Sequence, residues 1–188
     1  MKNFYFYAPT QVVFGRGAED KVAAMVKQYG GTKVLVHYGG QSAVRSGLLA
    51  KVEEQLKAAG IDYITLGGVV PNPRLSLVHR GIDICRQEGV DFLLAIGGGS
   101  VIDSCKAIGY GVPYDGEVWD IYLGKHKPTA CLPLGVVLTI PAAGSEMSDS
   151  SVITNEDGDL KLGTNSNLCR AKFAIMDPAR TYTLPAWQ

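Results

Sequence analysis

The chain has 188 residues, 46% hydrophobic and 19% charged, enough for one domain, or one with a small appendage, to bury a core without staples. Eighteen basic residues balance eighteen acidic ones without a Lys/Arg run, which argues against nucleic acid or an anionic membrane surface as partner. The longest apolar stretches, such as residues 132–140, are far too short to span a bilayer, and residues 1–7 carry no apolar signal core.

In chain order, residues 4–7 and 11–14 flank Ala8-Pro9-Thr10 and predict an N-terminal β-hairpin. Val22, Met25 and Val26 at helical spacing predict a helix over 17–29, closed by Gly30-Gly31. A Val/Leu-rich strand follows over 33–38 and ends in glycines. Leu48, Leu49, Val52 and Leu56 share one face of a predicted helix over 46–59, stopped by Gly60. A strand over 61–66 leads through Pro71-Asn72-Pro73, too proline-rich for regular structure, into a helix over 75–88. Residues 90–96 form a continuous apolar strand, followed by three glycines and a helix through Ile108. Residues 115–127 read as a loop with a short helix around Trp119 and Tyr122, and 134–140 as another buried strand. Segments 151–155 and 161–164 flank Glu156-Asp157-Gly158-Asp159 and predict a hairpin; 172–176 is a last strand, ended by Asp177-Pro178.

This β-α alternation argues for an α/β fold: a Rossmann-like parallel sheet covered by helices on both faces, with the N-terminal hairpin beside it. Such sheets bind ligands at the carboxyl ends of their strands. The 23 glycines cluster at those ends rather than forming a linker. Cys85, Cys105, Cys131 and Cys169 are scattered without a Cys-x-x-Cys pair, as expected of free thiols in a reducing cytoplasm.

The most informative stretch is Leu93-Leu94-Ala95-Ile96-Gly97-Gly98-Gly99-Ser100-Val101-Ile102-Asp103. A strand, three glycines and a helix start expose bare amides next to a partial positive charge, a natural seat for a pyrophosphate. Ser100 is expected to cap the helix. The spacing is not the Gly-x-Gly-x-x-Gly of the common dinucleotide fold, and a tight turn without a ligand is the alternative. Asp103 and Lys106, three apart, read from spacing alone as a surface ion pair.

Gly97-Gly98-Gly99-Ser100-Val101-Ile102-Asp103-Ser104-Cys105-Lys106 resembles the Gly-Gly-Gly-Ser-x-x-Asp-x-x-Lys segment of iron-containing (group III) alcohol dehydrogenases. In the same order, Phe14-Gly15-Arg16-Gly17, Val69-Val70-Pro71-Asn72-Pro73, Thr139-Ile140-Pro141-Ala142-Ala143-Gly144-Ser145-Glu146 and Tyr182-Thr183-Leu184-Pro185 resemble further segments of that family. The likeness covers essentially the whole chain and leans to the butanol dehydrogenase and aldehyde reductase branch. It implies hydride transfer between NAD(P)H and a primary alcohol or aldehyde. Gly97, Gly98, Gly99 and Ser100 would hold the pyrophosphate, and Asn72 would lie along the cofactor cleft. Asp103 would be the catalytic residue, positioning substrate or water beside the nicotinamide. Thr139, Ala142 and Ser145 would line the adenine and ribose site, Lys161 would bind the nicotinamide ribose, and Leu184 would pack near the cofactor. Where the family often has threonine, Ala143 stands here.

Tyr38-Gly39-Gly40-Gln41-Ser42 occupies the place of the family's Tyr-Gly-Gly-Gly-Ser loop beside the adenosine ribose. No acidic residue lies from Val34 to Leu49, and Arg45 is near, so Gly39, Gly40 and Ser42 are expected to favour NADP(H) over NAD(H).

In the family, one aspartate and three histidines of a helical C-terminal domain bind Fe²⁺ or Zn²⁺, which polarises the substrate oxygen. His37, His79 and His126 have no matching spacing, so no metal site is expected within residues 1–188. The chain is thus expected to be one nucleotide-binding, dehydroquinate-synthase-like domain lacking the metal-binding domain, and inactive alone. A stand-alone non-catalytic nucleotide-binding module and a glycerol-dehydrogenase-like enzyme are the alternatives. Self-association is expected through an apolar face near Phe173, Tyr182, Leu184 and Trp187, giving a homo-oligomer.

Overall fold

The computed structural model describes residues 3–185 and Trp187. Strands β1 (Gln11–Phe14), β2 (Lys33–Tyr38), β3 (Asp62–Leu66), β4 (Phe92–Gly97) and β5 (Leu134–Leu138) belong to one sheet. After the hairpin strands β6 (Ser150–Asn155) and β7 (Leu160–Asn165), β8 (Phe173–Met176) returns to that sheet, whose order is β1-β8-β5-β4-β2-β3. Every pairing in it is parallel, whereas β6 and β7 pair antiparallel.

Helices α1 (Val22–Gln28), α2 (Ser42–Arg45), α3 (Leu48–Ala58), α4 (Leu75–Glu88), α5 (Gly99–Gly111) and α6 (Trp119–Tyr122) complete the fold. Both faces of the sheet are covered, which is why β4 is apolar throughout. Phe92, Leu94 and Ile96 pack with Val22 and Val26 of α1 and Val52 and Leu56 of α3. Leu93 and Ala95 point the other way, against Val78 and Ile82 of α4 and Ile102 and Ile108 of α5.

The predicted N-terminal hairpin does not form. Residues 4–7 are not a strand, and β1 pairs in parallel with β8, Gln11 opposite Phe173. Ala8-Pro9-Thr10 lacks the Gly or Asn that a tight hairpin turn needs, and Pro9 has no amide to donate. β8 instead offers β1 four residues in register. Phe173 does not belong to an exposed face either: it is buried and stacks on Phe92 and Tyr29, whereas Tyr182, Leu184 and Trp187 are exposed.

The predicted helix over 17–29 is divided, residues 18–21 forming a tight 3-10 turn before α1. The predicted helix over 46–59 is α3, and Gly47, left-handed at φ 71°, separates it from α2, a short helix that the sequence pattern does not reveal. The Asp-Gly turn does join a hairpin, with Gly158 and Asp159 both at positive φ. At the carboxyl end, Asp177 Oδ2 accepts from the Gly17 amide at 2.7 Å, and Arg180 reaches Glu19.

β2 leads outward to β3, and the chain then crosses back over β2 to place β4 on its other side. The direction of winding therefore reverses between β2 and β4, and a crevice opens beyond their carboxyl ends.

Candidate functional site

That crevice is walled by the loop after β2, the glycine turn after β4 and the loop after β5. At the turn, α5 begins at Gly99 with Gly98 as its N-cap, so Ser100 is the second helical residue rather than the cap. Gly98 is extended, and its carbonyl accepts from the amides of both Val101 and Ile102. The amides of Gly99 and Ser100 precede the first intrahelical bond and have no acceptor within the helix. They present donors at the positive end of a 13-residue helix.

The three glycines are bare for different reasons. A Cβ on Gly97 would lie 2.5 Å from Val101 Cγ2, and one on Gly98 would lie 2.7 Å from Ile140 Cγ2. Packing thus accounts for both. On Gly99 the nearest atom would be Ala143 Cβ at 3.8 Å, an ordinary contact across the crevice. Nothing in the protein requires Gly99 to lack a side chain.

Ser42, Thr139 and Leu184, all predicted cofactor contacts, come together in a cleft of about 530 Å³ with Arg45, Ile140 and Arg180. Gly39 and Gly40 follow directly on β2 and do not line this cleft; Gly39 instead lies against Val69 and Val101. The Thr139 amide donates to the Gly97 carbonyl, tying the loop after β5 to the glycine turn. Ala142 is exposed beside it.

Asn72 and Lys161 also meet, although both are exposed. Lys161 Nζ donates to Asn72 Oδ1 at 2.8 Å, and Asn72 holds a left-handed backbone at φ 58°. The β6–β7 hairpin is fixed to that loop by the Thr154 amide donating to the Pro73 carbonyl.

Ser145 stands apart from the cleft that Ser42, Thr139 and Leu184 line. It is buried, and its hydroxyl donates to Asp103 Oδ1 at 2.6 Å. Asp103 Oδ2 accepts from the Val152 amide at 3.2 Å. Burial pushes the Asp103 carboxyl up, against the lowering pull of the Ser145 hydrogen bond and of the Lys106 and Lys161 charges. An ionised carboxylate has about four acceptor positions, so after these two bonds Asp103 keeps capacity for a further donor.

The expected surface pair of Asp103 with Lys106 is absent. Lys106 is buried, and its ammonium donates to the carbonyls of Ser145, Ser148 and Ser150. Ile102 and Tyr110, one turn to either side of it on α5, are a signal of burial that the polar spacing with Asp103 outweighs. His37 gave no such signal. It is buried in β2, its Nδ1 2.8 Å from the Leu66 carbonyl and its Nε2 2.9 Å from Ser104 Oγ. Burial lowers its pKa to about 4, so the ring is neutral. Donation from Nδ1 to the carbonyl then leaves Nε2 to accept from the serine.

The family model described as iron-containing alcohol dehydrogenase matches residues 9–178. Probable NADH-dependent butanol dehydrogenase 1 of Bacillus subtilis is 50% identical over 185 residues, covering 98% of this chain and 48% of that protein. The NADPH-dependent aldehyde reductase of Escherichia coli is 37% identical over 191 residues, covering all of this chain and 48% of that protein. The crystal structure of NADH-dependent butanol dehydrogenase A from Thermotoga maritima superposes with a TM-score of 0.96 at 43% identity, over 98% of this chain and 46% of that one. The chain spans about half the length of the curated relatives it matches.

Proposed function

Since the chain belongs to the iron-containing alcohol dehydrogenase family, we propose that it is the nucleotide-binding half of a metal-dependent dehydrogenase that moves hydride between a nicotinamide dinucleotide and a primary alcohol or aldehyde. The observation that carries this reading is Gly99: the protein leaves room for a side chain, and the sequence keeps the position bare beside unpaired helix-start amides. A diphosphate approaching those amides fills that room.

In this reading Gly97 to Ser100 hold the pyrophosphate, and Gly39, Gly40, Ser42, Thr139, Ala142 and Leu184 surround the adenosine end. Asn72 and Lys161 contact the nicotinamide ribose, and Asp103 positions substrate or water. Ser145 acts through Asp103 instead of touching the adenine or its ribose. The loop after β2 has no carboxylate to repel a 2′-phosphate, yet the relatives at 50% and 48% identity are named NADH-dependent. Those names do not support the NADP(H) preference expected from the loop. The coenzyme proposed is NADH, with NADPH admitted rather than excluded.

The family name implies iron. Among the described residues no three His, Cys, Asp or Glu side chains converge on a metal-sized site. His37 is occupied at both nitrogens, His79 pairs with Glu117, and His126 stacks on Tyr114. These residues do not fit an iron site. We place the metal ligands in the half of the relatives that this chain does not span, and expect the 188 residues alone not to turn over substrate.

No helix among the described residues is long and apolar enough to cross a membrane. Burial raises all four free thiols, which suits a reducing compartment, and a cytoplasmic location is proposed. Exposed Tyr182, Leu184 and Trp187 are the proposed surface for self-association. Calorimetric titration with NADH tests the central reading: saturable one-site binding is expected, and no heat with either coenzyme overturns it. Coenzyme oxidation by this chain with an aldehyde and Fe²⁺ would overturn the proposed inactivity.

A further inference from the structure

Lys106 lies mid-helix in α5 with no exposed surface. An ammonium group has three N–H donors, and three backbone carbonyls surround it: Ser145 at 2.7 Å, Ser148 at 3.0 Å and Ser150 at 2.8 Å. The hydroxyls of Ser145 and Ser148 each lie 3.2 Å away. A neutral amine has two donors and would turn its lone pair on a carbonyl, so this cage fits the cation. Without a cation, three carbonyl dipoles aimed at one buried point would repel one another.

The three carbonyls belong to the turn that joins the loop after β5 to the start of β6. Ser145, held by Lys106 through its carbonyl, gives its hydroxyl to Asp103. Ser151, next after the cage, gives its hydroxyl to the Asp103 carbonyl, and the Val152 amide bonds the carboxylate. The same strand leads into the hairpin that carries Lys161 to Asn72.

We infer that Lys106 is a positioning residue of the cleft: its ammonium serves as an internal cation that folds residues 145–150 and, through Ser145, aims the Asp103 carboxylate. Its effect on coenzyme binding rests on the dinucleotide reading above; its effect on Asp103 does not. Lys106→Ala removes the cation and leaves a space lined by carbonyls that ammonium ion can enter. Lys106→Met fills the space without charge.

The test measures NADH affinity by calorimetry and the Asp103 carboxyl titration by carbon NMR, in the 188-residue chain and both variants. Each is run with ammonium chloride and, at equal ionic strength, with tetramethylammonium chloride, whose cation is too large for the space. Lys106→Ala is expected to bind NADH roughly tenfold more weakly and to titrate Asp103 at higher pH. Ammonium should reverse most of both changes, and tetramethylammonium neither. Lys106→Met should show the same losses without rescue. If the unaltered chain does not bind NADH, the dinucleotide reading fails and the Asp103 titration alone decides this inference. Unchanged affinity and titration in Lys106→Ala overturn it. So do losses, including loss of fold, that ammonium does not relieve, because Lys106 would then be a packing residue.

Discussion

Lys161 and Asn72, 89 positions apart, meet through a 2.8 Å hydrogen bond that joins the β6–β7 hairpin to the loop after β3. Both are exposed, so the contact contributes little to stability. In the proposed reading its value lies in fixing the Lys161 charge, one of those that pull the Asp103 carboxyl down. Lys161→Ala is therefore expected to leave the unfolding midpoint within about 0.5 kcal/mol of the parent while weakening NADH binding about fivefold or more. Calorimetry and denaturant unfolding on the same preparation check the pair of outcomes. Unaltered affinity would remove Lys161 from the site.

Gly99 separates a ligand role from a structural one. Ala at the first turn of α5 meets no atom closer than 3.8 Å and gains helix propensity, so stability should hold or rise by up to about 1 kcal/mol. The added methyl points toward Ala143, into the space assigned to the pyrophosphate, and NADH affinity should fall by roughly tenfold. Gly97→Ala is the contrasting variant. Its Cβ would overlap Val101 at 2.5 Å and should cost about 1–3 kcal/mol. A Gly99→Ala protein that binds NADH as the parent does would return the glycine turn to a purely structural role.

The parallel sheet and its helices were legible because period and burial agree: β2, β4 and β5 are apolar runs between helices whose apolar residues recur at helical spacing. The glycine turn was legible for a similar reason, a local string between two such elements. What stayed hidden depended on partners far along the chain. Residues 4–7 alternate like a strand, yet β1 is taken by β8, more than 150 residues later. The spacing of Asp103 and Lys106 suggests a surface pair, but the loop after β5 folds over α5 and supplies three carbonyls to the lysine. Sequence spacing shows neighbours on one helix, not what a later segment lays across it.

Glu19 and Arg180 are another pair no local pattern reveals. The Glu19 side chain is 1% exposed, and Arg180 Nε and Nη2 approach the same oxygen at 2.6 and 2.5 Å. Lys51 stands farther off, 3.9 Å from the second oxygen. Arg180→Ala would leave a buried carboxylate with only that distant partner, and should cost about 3 kcal/mol. Glu19→Gln combined with Arg180→Ala should recover part of that loss, since no charge is then stranded. Arg180 also lines the cleft with Thr139 and Leu184, so NADH affinity should fall alongside stability in the single variant. A midpoint within 0.5 kcal/mol of the parent would be the small effect typical of a surface pair and would contradict this account.

In the proposed reading, Arg45 is the group that could distinguish the two coenzymes. It is exposed on α2 and lines the cleft with Ser42. A 2′-phosphate there would gain a charge-assisted hydrogen bond, typically about 1.5–3 kcal/mol. Arg45→Ala should accordingly weaken NADPH binding by roughly tenfold and leave NADH binding unchanged. Parallel titrations of both coenzymes give the ratio directly; equal losses would mean that Arg45 does not sit at the 2′ position.

His37 makes the fold sensitive to acid before the carboxylates do. Burial lowers its pKa from 6.5 to about 4, so the folded state holds the ring neutral while the unfolded chain protonates it at higher pH. The unfolded state therefore binds more protons between those values, and stability falls as pH drops from 6.5 toward 4. Above the upper value the contribution is fully present. A depression of this size corresponds to about 3 kcal/mol across the window. Asp91, Glu117, Glu156 and Asp177 have depressed pKa values too, but their contributions fade only as pH falls below the ordinary carboxylate range. Urea unfolding between pH 7.5 and 4 should thus show a decline that begins near the ordinary histidine range. His37→Gln, which retains a donor and an acceptor without titrating, should remove that early decline while leaving the later acid loss in place. If the variant and the parent lose stability in parallel, the early loss belongs to another group and the buried neutral ring is not its cause.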